Sequence, residues 1–179
     1  CYDWGIGVED NYTKANSLYK EALAEFKKMA EAGNAKAQLY VGYCYENGRG
    51  TEENLEAAFE AYKKSAETGY FLGQYKLGSC YYRGYCVGES YTEAVKWFKL
   101  AAEQKYVNAQ DFLGDCYYDG KGVKQSYTEA VKWYRLAAEQ GNASAQYSLG
   151  FCYENGQGVP KSKSESISGI RWLPSKVMN

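Results

Sequence analysis

The sequence predicts an all-α solenoid of antiparallel helix pairs, and three observations carry that prediction. Gly-x-Cys-Tyr returns every 36 positions, at Gly42-Tyr43-Cys44-Tyr45, Gly78-Ser79-Cys80-Tyr81, Gly114-Asp115-Cys116-Tyr117 and Gly150-Phe151-Cys152-Tyr153. Three of these copies run into a glycine-bearing stretch: Asn47-Gly48-Arg49-Gly50, Asp119-Gly120-Lys121-Gly122 and Asn155-Gly156-Gln157-Gly158. Beyond the loops comes Ala-x-x-x-aromatic, as Ala58…Tyr62, Ala94…Phe98 and Ala130…Tyr134. A fixed period of about 20–50 residues marks an architecture in which each repeat buries its apolar face only against its neighbours. A stack of that kind presents an extended surface rather than one deep pocket, which favours binding over catalysis.

Taken in chain order, residues 1–33 read as a partial or atypical repeat. Cys1 to Val8 lies 43 rather than 36 positions ahead of its counterpart. Residues 34–160 form the regular repeats. Their first helices are predicted over about 35–46, 72–82, 107–118 and 143–154, from apolar residues at helical spacing. Glycines then permit the positive φ angles that end each helix and turn the chain. In the second helices, Ser-Tyr-Thr-Glu-Ala-Val-Lys-Trp occurs identically at 90–97 and 126–133, its Ser or Thr ahead of Glu-Ala supplying a helix start. Residues 161–179 depart from the pattern. Ile167, Ile170, Trp172 and Leu173 suit a degenerate cap over the last repeat better than a free tail.

Composition removes several classes of chemistry. There is no histidine, so the commonest general base near neutral pH and the commonest metal ligand are both absent. No Cys-x-x-Cys occurs, and one thiol per repeat cannot converge on a metal; neither a metal nor a cofactor is expected. Cys44, Cys80, Cys116 and Cys152 share one repeat slot, with Cys1 in the same slot of the longer first unit. Stacked helices hold equivalent positions roughly 10 Å apart, whereas a disulfide needs Cα atoms within about 7 Å. The ladder therefore reads as buried, unpaired thiols acting as small apolar spacers. Cys86, where other repeats carry Gly50 and Gly122, is expected to be the exposed one. Reduced thiols favour a cytoplasmic setting, and a chain that opens in mid-repeat leaves room for a removed leader.

The net charge is −1, which supplies no field for nucleic acid, and no apolar run is long enough to span a bilayer. One Ser-x-x-Lys, Ser17 to Lys20, lacks the companion elements of a penicillin-recognising enzyme and reads as chance. The Gly-x-Gly loops lack the preceding strand and following lysine of a phosphate loop, so they are turns.

Repeat three carries Leu113-Gly114-Asp115-Cys116-Tyr117, Gly120, Gly122-Val123, Glu129-Ala130, Trp133-Tyr134, Ala137-Ala138 and Gly141. On these residues the chain resembles the Sel-1-like repeat family, a relative of the tetratricopeptide repeat with a longer interhelix loop, over roughly 1–160. The resemblance implies a right-handed superhelical α-solenoid and scaffold or adaptor work without catalysis. A cysteine-rich branch of that family is associated with β-lactam binding and hydrolysis, and there paired cysteines clip neighbouring helices. The matching places here hold Ala66, Ala102, Ala138, Gln74, Gln110 and Gln146, so the clip is absent. The alternatives are a hydrolase of that branch, or one fragment of a larger signalling or effector protein.

The resemblance also implies that the first helix of each repeat lines a concave, partner-binding face. By repeat position the candidates are Tyr43, Glu46, Tyr75, Tyr82, Arg83, Asp111, Asp115, Tyr118, Asp119, Tyr147, Phe151 and Glu154, flanked by Leu39, Asn47, Ser79 and Asn155. The stripe holds six aromatics and five carboxylates against one arginine. The second helices carry Lys63, Lys64, Lys96, Lys99, Lys132 and Arg135. An acidic inner face suits an extended peptide or helix bearing Lys or Arg, with tyrosines as rigid anchors. The expected partner is thus a protein or peptide, and the oligomeric state is left open.

Overall fold

A computed structural model of the protein describes residues 11–166. Those residues form helices α1 (Asn11–Glu31), α2 (Ala35–Asn47), α3 (Leu55–Glu67), α4 (Phe71–Arg83), α5 (Tyr91–Glu103), α6 (Val107–Asp119), α7 (Tyr127–Glu139) and α8 (Ala143–Asn155), with no strand among them. One more helical turn starts at 163–166, where the Ser162 hydroxyl accepts from the Glu165 amide. The chain divides into two compact units, Cys1–Glu89 and Ser90–Asn179. Within each, successive helices pack together. The Cys1 slot and the cap expected from Ile167, Ile170, Trp172 and Leu173 lie outside the described residues. No described helix is long and apolar enough to cross a membrane.

Helix starts follow the capping residues. Asn54, Ser90 and Ser126 each accept a hydrogen bond from an amide three residues on, and α3, α5 and α7 begin there. One period earlier the slot holds Leu18, which has no acceptor. The helix therefore runs on upstream, and α1 is 21 residues long against 13 for the others. The first helices end on Gly48, Gly84, Gly120 and Gly156, all at left-handed φ of 63–74°.

Each unit is held together by the same knob and hole. Tyr62 is fully buried, and a Cβ placed on Gly42 would lie 2.5 Å from its ring; Tyr134 and Gly114 repeat that contact at the same distance. Burying one such ring contributes about 2 kcal/mol. The glutamines that follow Ala37, Ala109 and Ala145 form a second recurring tie. Gln38, Gln110 and Gln146 donate side-chain amides to the carbonyls of Ala30, Ala102 and Ala138, all at 3.2 Å. At 102/110 and 138/146 the tie spans positions where, as the resemblance implies, the cysteine-rich branch carries its disulfide clip. Each such neutral hydrogen bond is worth about 1 kcal/mol.

The thiols of Cys44, Cys80, Cys116 and Cys152 are buried as expected. Burial pushes the Cys116 and Cys152 pKa values up to about 12 and about 11, which leaves them inert. Cys86 differs from its expectation. It is half-buried, and its Sγ lies 3.0 Å from Sγ of Cys80.

Candidate functional site

In the N-terminal unit the predicted stripe contains an exposed Tyr43 and Arg83, half-buried Tyr75 and Tyr82, and a half-buried Glu46. Glu46 is far from a free acid. Its carboxylate accepts from the hydroxyls of Tyr62 and Tyr85, each at 2.6 Å, and from Lys76 Nζ at 2.8 Å. Burial alone would raise the Glu46 pKa. The donors from Lys76, Tyr62 and Tyr85 outweigh it and hold the group below the ordinary glutamate value. The negative charge expected here is therefore answered inside the unit. Lys76 and Tyr85 were not among the predicted residues. The signal was present, because slot 76 holds Tyr40, Phe112 and Ser148 in the other repeats and a cation in this one.

The C-terminal unit has the opposite character. Asp111, Asp115 and Asp119 stand one turn apart on α6, and α8 brings Tyr147 and Phe151 beside them. Asp115, Tyr118, Tyr134, Tyr147, Ser148 and Phe151 line a cavity of about 340 Å³. Tyr134, from α7, lies at its inner wall and donates to Asp115 Oδ1 at 2.8 Å. Tyr118 is fixed by its hydroxyl donating to Gln157 at 2.8 Å. Tyr147 and Phe151 stay exposed, at 67% and 43%.

Neither Asp115 nor Asp111 forms an ion pair among the described residues, whereas Asp119 meets Lys121 at 3.1 Å. Asp111 is only 8% exposed, and its Oδ1 has no hydrogen-bond partner. Burial first and repulsion from Asp115 second raise its pKa to about 6, against a weaker opposing hydrogen bond from Ser144. Burial likewise raises the pKa of Asp115, with a smaller push from Asp119, partly offset by the Tyr134 hydrogen bond and by the field of Lys121. Two acids held above their ordinary values, neither in an ion pair among the described residues, would have their charged forms favoured by a cation placed beside them.

Of the predicted residues, Asp115, Tyr118, Tyr147 and Phe151 thus meet around one cavity, with Asp111 beside Asp115; Asp119 and Glu154 are exposed at the ends of α6 and α8. Tyr134 and Ser148 line the cavity too but were not among the predicted site residues. Of the second-helix cations, Lys96 and Lys132 pair with Glu93 and Glu129 on their own helices, and Arg135 donates to the Tyr153 hydroxyl. Another hollow, of about 420 Å³ in the N-terminal unit, is lined by Lys27, Glu31, Gln38, Tyr45, Glu60 and Lys64 among others and contains no predicted residue. Among the described residues no group of three or more acids and thiols could hold a metal ion.

The Sel1 repeat family model matches residues 1–25, 35–70, 72–106, 107–142 and 143–173. The chain belongs to the Sel1 repeat family. Among solved structures it is similar to a protective antigen of uropathogenic Escherichia coli displaying an SLR fold, at 41% identity and TM-score 0.82, over 84% of this chain and 32% of the antigen. A Sel1 repeat protein from Oxalobacter formigenes is 36% identical, with TM-score 0.81, over 88% of this chain and 64% of that one. The chain therefore spans about a third of the first relative and under two thirds of the second. Cysteine rich protein B of Helicobacter pylori shares the fold at 23% identity and TM-score 0.53, over 79% of this chain and 96% of that chain. No curated protein sequence matches the chain. Sel1 repeat proteins are in general protein-interaction scaffolds built as helical solenoids, and this chain has that all-helical fold.

Proposed function

We propose that this chain is a non-catalytic interaction module whose C-terminal unit binds a protein segment bearing lysine or arginine, with the cation seated in the cavity above Asp115. The observation that carries this reading is an acid-floored aromatic cavity without a cation of its own. A positive head group there gains the carboxylate together with the faces of Tyr118, Tyr147 and Phe151. Cation–π contact adds about 0.5–2 kcal/mol, more as the site dries. The buried charge of Asp111, close behind, adds to the field. Exposed Tyr147 and Phe151 supply the apolar rim on which the rest of a segment would lie, and such rigid rings bury much area at small entropic cost. Burial of Cys116 and Cys152, with their pKa values raised, removes these two thiols as nucleophiles at neutral pH.

The test uses fluorescence anisotropy with short labelled peptides identical except for a central Lys, Arg, Gln or Glu. Lys and Arg peptides should bind, and Asp115→Asn and Tyr147→Ala should each weaken them about tenfold, the equivalent of about 1.4 kcal/mol. Glu154→Gln, outside the cavity, should change little. Equal binding by all four peptides, or an Asp115→Asn protein that is folded and binds as wild type, would remove the proposal.

A further inference from the structure

Repeat two contains an arrangement that none of the other described repeats has. In repeats one, three and four the loop position six residues after the ladder cysteine is glycine, at φ of 70–73°. A Cβ there would lie within 2.4 Å of backbone atoms, of Tyr19 for Gly50, of Tyr91 for Gly122 and of Tyr127 for Gly158. Cys86 occupies the equivalent slot and does not adopt a positive φ. Its side chain instead packs into the core cluster of Ala58, Tyr62 and Cys80, together with Tyr85 and Val87. The two sulfurs end 3.0 Å apart, closer than unbonded thiols ordinarily rest and about 1 Å from bonding distance. The neighbouring groups suit exchange chemistry. The Cys80 thiol donates to Cys86 and faces the Tyr85 hydroxyl at 3.8 Å, and Tyr85 donates to Glu46 at 2.6 Å. Cys86 is half-buried whereas Cys80 is fully buried.

We propose that Cys80 and Cys86 are a redox-active dithiol that closes to an intramolecular disulfide by exchange with a low-molecular-weight disulfide of the glutathione type. Cys86, the reachable sulfur, attacks one sulfur of the incoming disulfide and expels one thiolate, forming a mixed disulfide. Cys80 then attacks Cys86 Sγ and expels the second thiolate. Two electrons pass from the protein pair to the small disulfide, and the two cysteine protons end on the two released thiols. The Tyr85–Glu46 chain gives the Cys80 proton a path out of the core. The hydrogen bond from Cys80 outweighs burial and holds the Cys86 thiol below its ordinary pKa, which favours it as the attacking group. This inference is independent of the binding cavity, since it involves only the N-terminal unit.

Wild-type protein is incubated in mixtures of oxidised and reduced glutathione, alkylated, and digested with trypsin. Cleavage after Lys76 and Arg83 separates the two cysteines, so closure joins Leu77–Arg83 to Gly84–Lys96 in one product lighter by two hydrogens. That product should accumulate as the oxidised fraction rises and vanish with dithiothreitol. Cys80→Ser should halt the reaction at a glutathione adduct on Cys86, and Cys86→Ser should take up none. In the reduced native protein, alkylation of Cys86 should outpace that of Cys44, Cys116 and Cys152 by about tenfold or more. A stable glutathione adduct on wild-type Cys86 without cross-linking would overturn the proposal. So would full alkylation of both thiols at every ratio, and neither result depends on a variant folding.

Discussion

Glu46 in the N-terminal unit and Asp115 in the C-terminal unit both accept a hydrogen bond from the buried tyrosine of the following helix, and there the likeness stops. Glu46 also takes Lys76 and Tyr85 and ends with its pKa lowered. Among the described residues Asp115 accepts a hydrogen bond only from Tyr134; it faces a cavity, and burial with the nearby Asp119 leaves its pKa raised despite the field of Lys121. One repeat scaffold therefore supports a carboxylate that stabilises the fold and another that burdens it. Functional sites are commonly the places where local rules of stability are broken. The difference fits a structural role for the first acid and the proposed recognition role for the second.

The sharpest way to break that comparison is to remove each acid. Glu46→Ala strands the Tyr62 and Tyr85 hydroxyls and Lys76, and should cost about 3 kcal/mol in chemical denaturation. Asp111→Asn should stabilise the protein by about 1 kcal/mol at pH 7, because it deletes a buried charge without a partner cation. Equal losses from both would show that the two faces are energetically alike.

A second test strikes the shared element. Gly114→Ala forces a methyl against the Tyr134 ring, and Gly42→Ala does so against Tyr62. Each should cost about 2 kcal/mol after the helix-propensity gain of about 1 kcal/mol. If Gly114→Ala displaces Tyr134, the Asp115 pKa should rise further in a carboxyl NMR titration, whereas Glu46 in Gly42→Ala retains Lys76 and should move less.

Acid gives the third. The folded pKa of Glu46 is depressed, so its stabilisation is fully present above the ordinary glutamate value of 4.5 and is lost as pH falls through the lower folded value. The folded pKa of Asp111 is raised from 3.8 to about 6. It therefore destabilises at neutral pH, and that penalty is relieved as pH falls from above 6 toward 3.8. Hydrogen exchange corrected for intrinsic rates should show α6–α8 gaining about 1 kcal/mol of protection between pH 7 and 5. Over the same range α2–α4 should stay flat. Binding of a Lys peptide should weaken across that window, as the charge that attracts it is neutralised.

The smallest effect concerns Lys105, which stands at φ 66° where Gly33, Gly69 and Gly141 occupy the equivalent turn at 85–88°. A left-handed non-glycine residue costs about 1 kcal/mol or more, and glycine's extra unfolded-state entropy returns part of that. Lys105→Gly should stabilise by about 0.5 kcal/mol in thermal or urea unfolding. A loss would mean that the lysine side chain makes a contact outweighing the backbone strain.

The amino-acid sequence by itself determined the helix pairs, their period and their ends. These depend on local chemistry: glycines that accept left-handed φ, Asn and Ser that cap amides, small residues spaced one turn from large ones. The long α1 was not read from the sequence, although the missing cap at Leu18 was its signal. The sequence also placed Asp115, Tyr118, Tyr147 and Phe151 on one face, because repeat position maps onto helix face. Tertiary structure alone decided which charges are answered. Lys76 reaches Glu46 across 30 residues and Tyr85 reaches it across 39, while among the described residues Asp115 has no ion pair and feels Lys121 only through its field. It also brought Cys86 to Cys80. Repeat register predicts where a Cα stands, but a loop released from the glycine conformation can turn its side chain inward, and a one-dimensional period carries no information about that direction.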